Sequence, residues 1–341
     1  MAHPGPMDGR ATTLLTKALP PADAPRYLSR FAWGVLAYSL FVILLGAVVR
    51  ITFSGAGCGQ HWPSCNGELM QLPHTLKATI EYSHRATSGL SVLAISGLLF
   101  GAFRVHSAGH PVRRGALLAF AMILVEALIG ALIVRWRLVE HDASLERVVM
   151  LPLHLTSTAL LTAAITWCAC FARTASPRFE RLPNGVRALL LLAGLGILLV
   201  SATGAVTALG DTVYPVQQSG LAARFHEDQG ASATLLQRMR GIHPFLAVAV
   251  AAYVAYTAAL LSGYRGSATV KRASSLLAGC VALQVLAGVV NVWLSAPAAM
   301  QVLHLLLANF TWISLIVLAA AARQAGAGEA TSAASSSGIA R

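Results

Sequence analysis

Charge is what this 341-residue chain has least of. Asp, Glu, Lys and Arg together make up 11% of it, against about 25% in soluble domains. Hydrophobic residues reach 56%, above the usual range of roughly 45–50%. That imbalance excludes an ordinary soluble domain. The chain has no CxxC and no HExxH motif, which argues against a zinc or copper centre built from protein ligands alone. Its first 30 residues are polar and Pro-rich and lack the charged–apolar–small order of a cleaved signal peptide. Residues 324–341 are mostly Ala, Gly and Ser. Both ends, 1–30 and 324–341, are predicted to be disordered extensions.

What is present is long and apolar. Eight stretches, about 32–52, 79–103, 115–134, 151–172, 188–208, 241–262, 275–294 and 300–322, are bounded by charge, Pro or Gly. Each is long enough to cross a bilayer, which takes roughly 20 apolar residues. Together they occupy about half of the chain and leave no room for a large soluble domain. In lipid the backbone must satisfy its own hydrogen bonds. The prediction is therefore an all-α integral membrane protein with eight transmembrane helices.

The net charge of +12 suits nucleic acid, but its distribution does not. With a cytoplasmic N-terminus, sixteen of the 25 Lys and Arg fall on the cytoplasmic side, with only four of the 13 Asp and Glu. The whole excess then lies inside, and the outer side is neutral. This is the positive-inside pattern of a membrane protein. It places both termini in the cytoplasm, names the lipid bilayer as partner, and leaves no nucleic-acid partner.

The first four helices resemble the last four. Gly46-Ala47-Val48, His84, Glu126, Gly130 and Trp136 match Gly204-Ala205-Val206, His243, Gln284, Gly288 and Trp293 at offsets of 157–159 residues. His154 and His304 match at 150, because the loop before the fourth helix is the longer one. Equivalent positions are four helices apart, so the halves share one orientation. They are predicted to be pseudo-twofold-related four-helix bundles about an axis along the membrane normal, covering 31–175 and 185–323.

His84, His154, His243 and His304 then begin the four helices that run from outside to inside. Polar side chains at that depth are costly and usually functional. Hydrogen bonding between helices is the competing account of one such histidine; four at repeat-equivalent positions argue against it. Two histidines on facing helices suit the two faces of one heme iron. Gly46, Gly130, Gly204 and Gly288 are candidates for the small residues a flat macrocycle needs, close helix packing being the alternative. His3, His106, His110, His141 and His226 lie in polar segments and read as solvated; His61 and His74 in the first outer loop stay open.

The halves differ around the first histidine. Ile80-Glu81-Tyr82-Ser83-His84-Arg85 has an acid three residues before His84, on the same helix face. Arg240 takes that place before His243. Glu81 could move protons or stabilise positive charge beside a heme, or simply pair with Arg85. The first outer loop, Gly55 to Gly67, has Cys58 and Cys65 on the oxidising side. A disulfide there, worth roughly 2.5 kcal/mol on the chain-entropy model, and a redox-active thiol couple are the two readings. Cys168, Cys170 and Cys280 read as small apolar residues. Arg50, Arg85, Arg147 and Arg240 near the outer helix ends are candidate contacts for heme propionates, with interfacial snorkelling as the alternative.

Taken together, these residues resemble the heme A synthase family. The resemblance rests on Gly57-Cys58-Gly59, Trp62-Pro63, Cys65 and Gly67, then Ile80-Glu81-Tyr82, His84-Arg85, and the single histidines of helices 4, 6 and 8. It covers about 30–322 and matches the subclass with a cysteine pair in the first outer loop. It implies oxidation of the C8 methyl group of heme O to a formyl group, giving heme A for cytochrome c oxidase. It implies a substrate heme between His84 and His154, a heme b cofactor between His243 and His304, and Glu81 as the catalytic acid. Expected partners are heme O, delivered by heme O synthase (protoheme farnesyltransferase), and the cytochrome c oxidase assembly machinery, in a bacterial inner membrane. The alternative is a bis-histidine diheme b-type cytochrome acting only in electron transfer.

Overall fold

The computed structural model describes residues 23–68, 73–174, 181–215 and 221–337. Eight of its helices are long and apolar enough to cross a membrane. They are α1 (Ala24–Ile51), α2 (Leu76–Val105), α3 (Pro111–Arg135), α4 (Leu145–Phe171), α5 (Asn184–Val213), α6 (Leu235–Leu261), α7 (Ala268–Trp293) and α8 (Ala298–Ser337). The protein is an all-helical, multi-pass membrane protein, as its composition predicts. A short helix, Leu221–Gln229, and a single 3₁₀ turn, Tyr264–Gly266, complete the helical elements among the described residues.

Polar caps set where the helices begin. Thr75 accepts a hydrogen bond from the Ala78 N–H, and Ser144 accepts one from Arg147. Thr234 and Gln237 form a capping box at the start of α6. These caps start α2, α4 and α6 three to six residues ahead of the apolar stretches, because the polar first turn is satisfied locally and needs no lipid. The four histidines are consequently the ninth, tenth, ninth and seventh residues of their helices. At 1.5 Å per residue they sit roughly 9–14 Å below the helix starts, deeper than a first-turn position.

The extensions are shorter than expected. α1 begins at Ala24, inside the stretch 1–30, because its second turn packs: Leu28 and Ser29 are buried, and the Ser29 hydroxyl donates to the Ala169 carbonyl at 3.0 Å. α8 continues to Ser337, since prolonging a helix through Ala, Gln and Glu requires no new nucleus. Residues 1–22 and 338–341 lie outside the described residues.

Each half closes into a four-helix ring. In the first, α1 packs on α2, α2 on α3, α3 on α4 and α4 on α1; in the second, α5, α6, α7 and α8 repeat the same order. Each ring has its own buried core. The halves meet where α4 packs on α5 and α8, and α1 on α8. There the Trp312 indole N–H donates to the Ala159 carbonyl at 2.7 Å, and the Gln324 amide to Cys170 at 3.0 Å. Outward-facing side chains such as Leu93, Phe100 and Phe245 are large and apolar, the composition that lipid demands.

At the end opposite the histidines, one expectation fails. His110 is buried rather than solvated. Its ring stacks on His106 with centroids 3.9 Å apart, and Nε2 lies 3.0 Å from the Thr174 carbonyl. The turn between α2 and α3 folds both rings under the end of α4. Burial, then the neighbouring His110, pushes His106 down to about 4, against the opposing contact with the Ala172 backbone. Between this value and the ordinary 6.5, the folded protein binds fewer protons than the unfolded chain. The stability this packing contributes is therefore full above pH 6.5 and falls as the pH drops towards 4. The unfolding midpoint in detergent should fall more steeply across that window for the wild type than for His106→Phe. Equal slopes would show that the stack does not titrate.

Candidate functional site

α2, α4, α6 and α8 all begin at one end of the bundle, and each brings one histidine to it. The rings are seated against glycine. A Cβ on Gly46 of α1 would lie 3.0 Å from the His84 ring; on Gly204 of α5, 3.1 Å from His243; on Gly288 of α7, 3.1 Å from His304. Any side chain there would displace the imidazole. Gly130 departs from this pattern: a Cβ there would meet nothing within 4 Å. His154 is held instead from the same helix, α3, by Glu126, whose Oε2 lies 3.0 Å from Nδ1.

Within each half the two histidines lie on helices of the same ring, His84 on α2 with His154 on α4, and His243 on α6 with His304 on α8. The His243 Nδ1 is 3.0 Å from the Thr203 hydroxyl. The Nδ1 atoms of His84 and His304 are buried without a hydrogen-bond partner among the described residues, a costly state in an apolar interior. No group of three or more His, Cys, Asp or Glu side chains converges as a bare metal site among the described residues. Two imidazoles per half, three of the four seated against glycine, are the donor set an iron porphyrin takes on its two faces. The residues present fit that group.

The first half carries a cover over this end. Cys58 and Cys65 form a disulfide, the oxidised form common to both readings of the pair. Gly57 packs directly on the start of α2: a Cβ there would be 2.6 Å from the Ala78 nitrogen. Glu81 is buried beneath the loop. Its Oε2 accepts from the Cys58 N–H at 2.7 Å, and its Oε1 pairs with Arg85. Arg85 also donates to the carbonyls of His61 and Ser64. Glu81 and Arg85 thus clamp the disulfide loop onto α2. His61, His74, His141 and His226 are exposed.

The second half has a cover of inverted polarity. Arg240, at the position of Glu81, is buried and pairs with Asp228 of the short helix at 2.5 Å and with Asp211 of α5 at 3.6 Å. It also donates to the Tyr214 carbonyl at 2.7 Å. Each half therefore uses the residue one turn before its first histidine to hold its outer segment.

The other candidate arginines are likewise engaged within the protein. Arg147 donates to the carbonyls of Glu140 and Asp142. Arg50 bridges the halves: it reaches from α1 to the Ala208 carbonyl and Thr212 hydroxyl on α5 and to Gln301 on α8, at 2.6–2.8 Å. The Nε–H groups of Arg85, Arg147 and Arg240 have no acceptor among the described residues.

Glu126 is the residue that sequence reasoning left without a role. Ser157 and Thr158 of α4 hydrogen-bond its two oxygens, Thr158 at 2.8 Å. Its repeat-equivalent, Gln284, touches the matching histidine: the amide nitrogen is 3.2 Å from the His304 Nε2. The matched offset of 126 and 284 was the available signal.

Comparison with known proteins gives the family context. The model of the COX15-CtaA family, described as cytochrome oxidase assembly proteins, matches residues 29–316. A Thermus thermophilus protein named protoheme IX farnesyltransferase is 41% identical over 300 residues, 88% of this chain and 49% of that protein. Heme A synthases of Lysinibacillus sphaericus and Geobacillus thermodenitrificans are 40% and 37% identical over 113 and 111 residues, 33% of this chain in both cases and 36% and 35% of theirs. The chain spans about half the length of the Thermus relative it matches.

The clamp makes a stability prediction. Side-chain exposures of 4% and 9% mean that removing either Glu81 or Arg85 strands a buried charge, at a cost of about 3–5 kcal/mol. Glu81→Ala and Arg85→Ala should each lower the unfolding midpoint, and the double variant should lose less than the sum. Strictly additive losses would mean the two side chains do not act on each other.

Proposed function

The chain belongs to the COX15-CtaA family, the heme A synthase family, and from that premise we propose that it converts heme O to heme A for cytochrome c oxidase. The C8 methyl group of heme O would become a formyl group by two successive two-electron oxidations. The observation that carries the reading is the inequality of two otherwise matched histidine pairs. Both pairs begin on equivalent helices, but only the first has a glutamate one turn ahead of its first histidine and a disulfide loop over it among the described residues; the second has Arg240 in that place, paired with Asp228 and Asp211.

In this reading His84 and His154 hold the substrate heme, and His243 and His304 hold heme b. Bound there, heme b supplies one-electron redox chemistry. Gly46, Gly204 and Gly288 keep the imidazoles close to the helix walls and so fix their positions. Glu81 has both oxygens engaged, by the Cys58 N–H and by Arg85. That favours a role as a fixed charge near the reacting methyl group over one as a mobile proton carrier. Arg50, Arg85, Arg147 and Arg240 raise the local positive potential for propionates; most of their N–H groups already serve protein acceptors.

The membrane assignment follows from charge. The Lys and Arg excess puts the ends opposite the histidines on the cytoplasmic side of a bacterial inner membrane, with both termini there and the heme sites towards the outer side. A farnesylated heme is a lipid-soluble substrate suited to lateral entry from the bilayer. The Thermus relative, named a farnesyltransferase and matched over half its length, supports heme O synthase as the supplier.

A second reading, a diheme cytochrome that only transfers electrons, draws on the same clamp, since Glu81 would then be structural alone. Extraction of pigment from cells supplying heme O separates the two. Heme A should accumulate with the wild type and not with Glu81→Gln, while both proteins retain bound heme. Recovery of heme O and heme B alone from intact wild-type protein would leave electron transfer as the surviving reading. Full activity in Glu81→Gln would remove that carboxylate from the reaction.

A further inference from the structure

The second histidine of each half meets a different neighbour. His154 faces the carboxylate of Glu126, Nδ1 to Oε2 at 3.0 Å. Glu126 is itself fixed by two hydroxyls, Ser157 and Thr158, three and four residues beyond His154. The second half replaces all three groups. Gln284 stands for Glu126, with its amide nitrogen 3.2 Å from Nε2 of His304 rather than from Nδ1, and the positions three and four beyond His304 are Leu307 and Ala308. A carboxylate with two hydroxyl donors has become a neutral amide with none. Packing alone gives no reason for such a concerted change, because the helices pack in the same order in both halves.

A carboxylate beside the non-ligating nitrogen of an imidazole makes that ring a stronger donor, and a stronger donor favours the more positive oxidation state of a bound iron. An amide supplies no charge. We propose that Glu126 is a positioning residue that, through His154, lowers the reduction potential of iron in the first half, whereas Gln284 leaves the second half at higher potential. This rests on the proposed heme reading of the two histidine pairs. Its consequence is directional: an electron moves from ferrous iron in the first half, which is oxidised, to ferric iron in the second, which is reduced. Electrons withdrawn from a substrate in the first half then have a downhill exit.

The test is a spectroelectrochemical titration of the full-length protein loaded with heme, which should resolve two one-electron waves. His154→Ala and His243→Ala should each delete one wave and so assign it; if neither does, the heme reading itself fails. With the waves assigned, Glu126→Gln should raise the first-half potential by about a tenfold shift in the redox equilibrium, about 59 mV for one electron, and leave the second in place. Gln284→Glu should lower the second-half potential and leave the first. If Glu126→Gln loses its heme, the reciprocal variant decides alone. Heme retained in both halves with potentials unmoved in either variant would overturn the inference while leaving the heme reading intact.

Discussion

Every polar group placed between these helices must find its partner inside the protein, because lipid offers none. That constraint orders the interior. Hydroxyls donate one turn back along their own helices: Ser39 to Val35, Thr166 to Thr162, Thr257 to Tyr253. Buried arginines are met by acids or carbonyls on several sides. The imidazoles concentrate the shortfall. Three of the four have a buried Nδ1 with no hydrogen-bond partner among the described residues, and three are pressed against glycine where a methyl group would not fit. A place where such costs gather at repeat-equivalent positions is where a ligand's contribution is expected.

The two covers show how one position can be reused. One turn before the first histidine, the first half places an acid and the second a base, and each joins the outer segment to its helix. In the first half the clamp grips a loop already closed by a disulfide; in the second it grips a short helix. A buried ion pair contributes little net stability but is expensive to break, so its effect is to fix geometry. What differs is the residue one turn before the first histidine: Glu81, paired with Arg85, in the first half, and Arg240, paired with Asp228 and Asp211, in the second.

Much of this was legible in the sequence, because hydropathy and offset are one-dimensional. Eight helices, four histidines at one end and the matched halves follow from apolar length and spacing. What escaped needed the third dimension. Helix starts were set too late because Thr75, Ser144 and Thr234 satisfy a polar first turn that hydropathy reads as loop. His110 was read as solvated because its segment is polar, yet the turn folds it under the end of α4. The acceptors of Arg147 are backbone carbonyls and those of Arg50 lie on helices of the other half, so no local side-chain pattern reveals them. Glu126 was visible as a repeat match to Gln284, but only helix packing puts each beside a histidine.

The wall between the halves gives that last contact its wider meaning. α4 and α8 carry the second histidine of each half, and both also form the interface between the halves. Ala159, whose carbonyl receives the Trp312 indole, follows directly on Thr158, one of the two hydroxyls that fix Glu126. Arg50 crosses the same boundary to Gln301, three residues before His304 and on the same face of α8. His154 and His304 are therefore the inner members of their pairs, and the helices bearing them touch. Two sites joined through a shared wall can exchange electrons without either being open to water. A difference in the neighbours of those two inner histidines is the most economical place to set the direction.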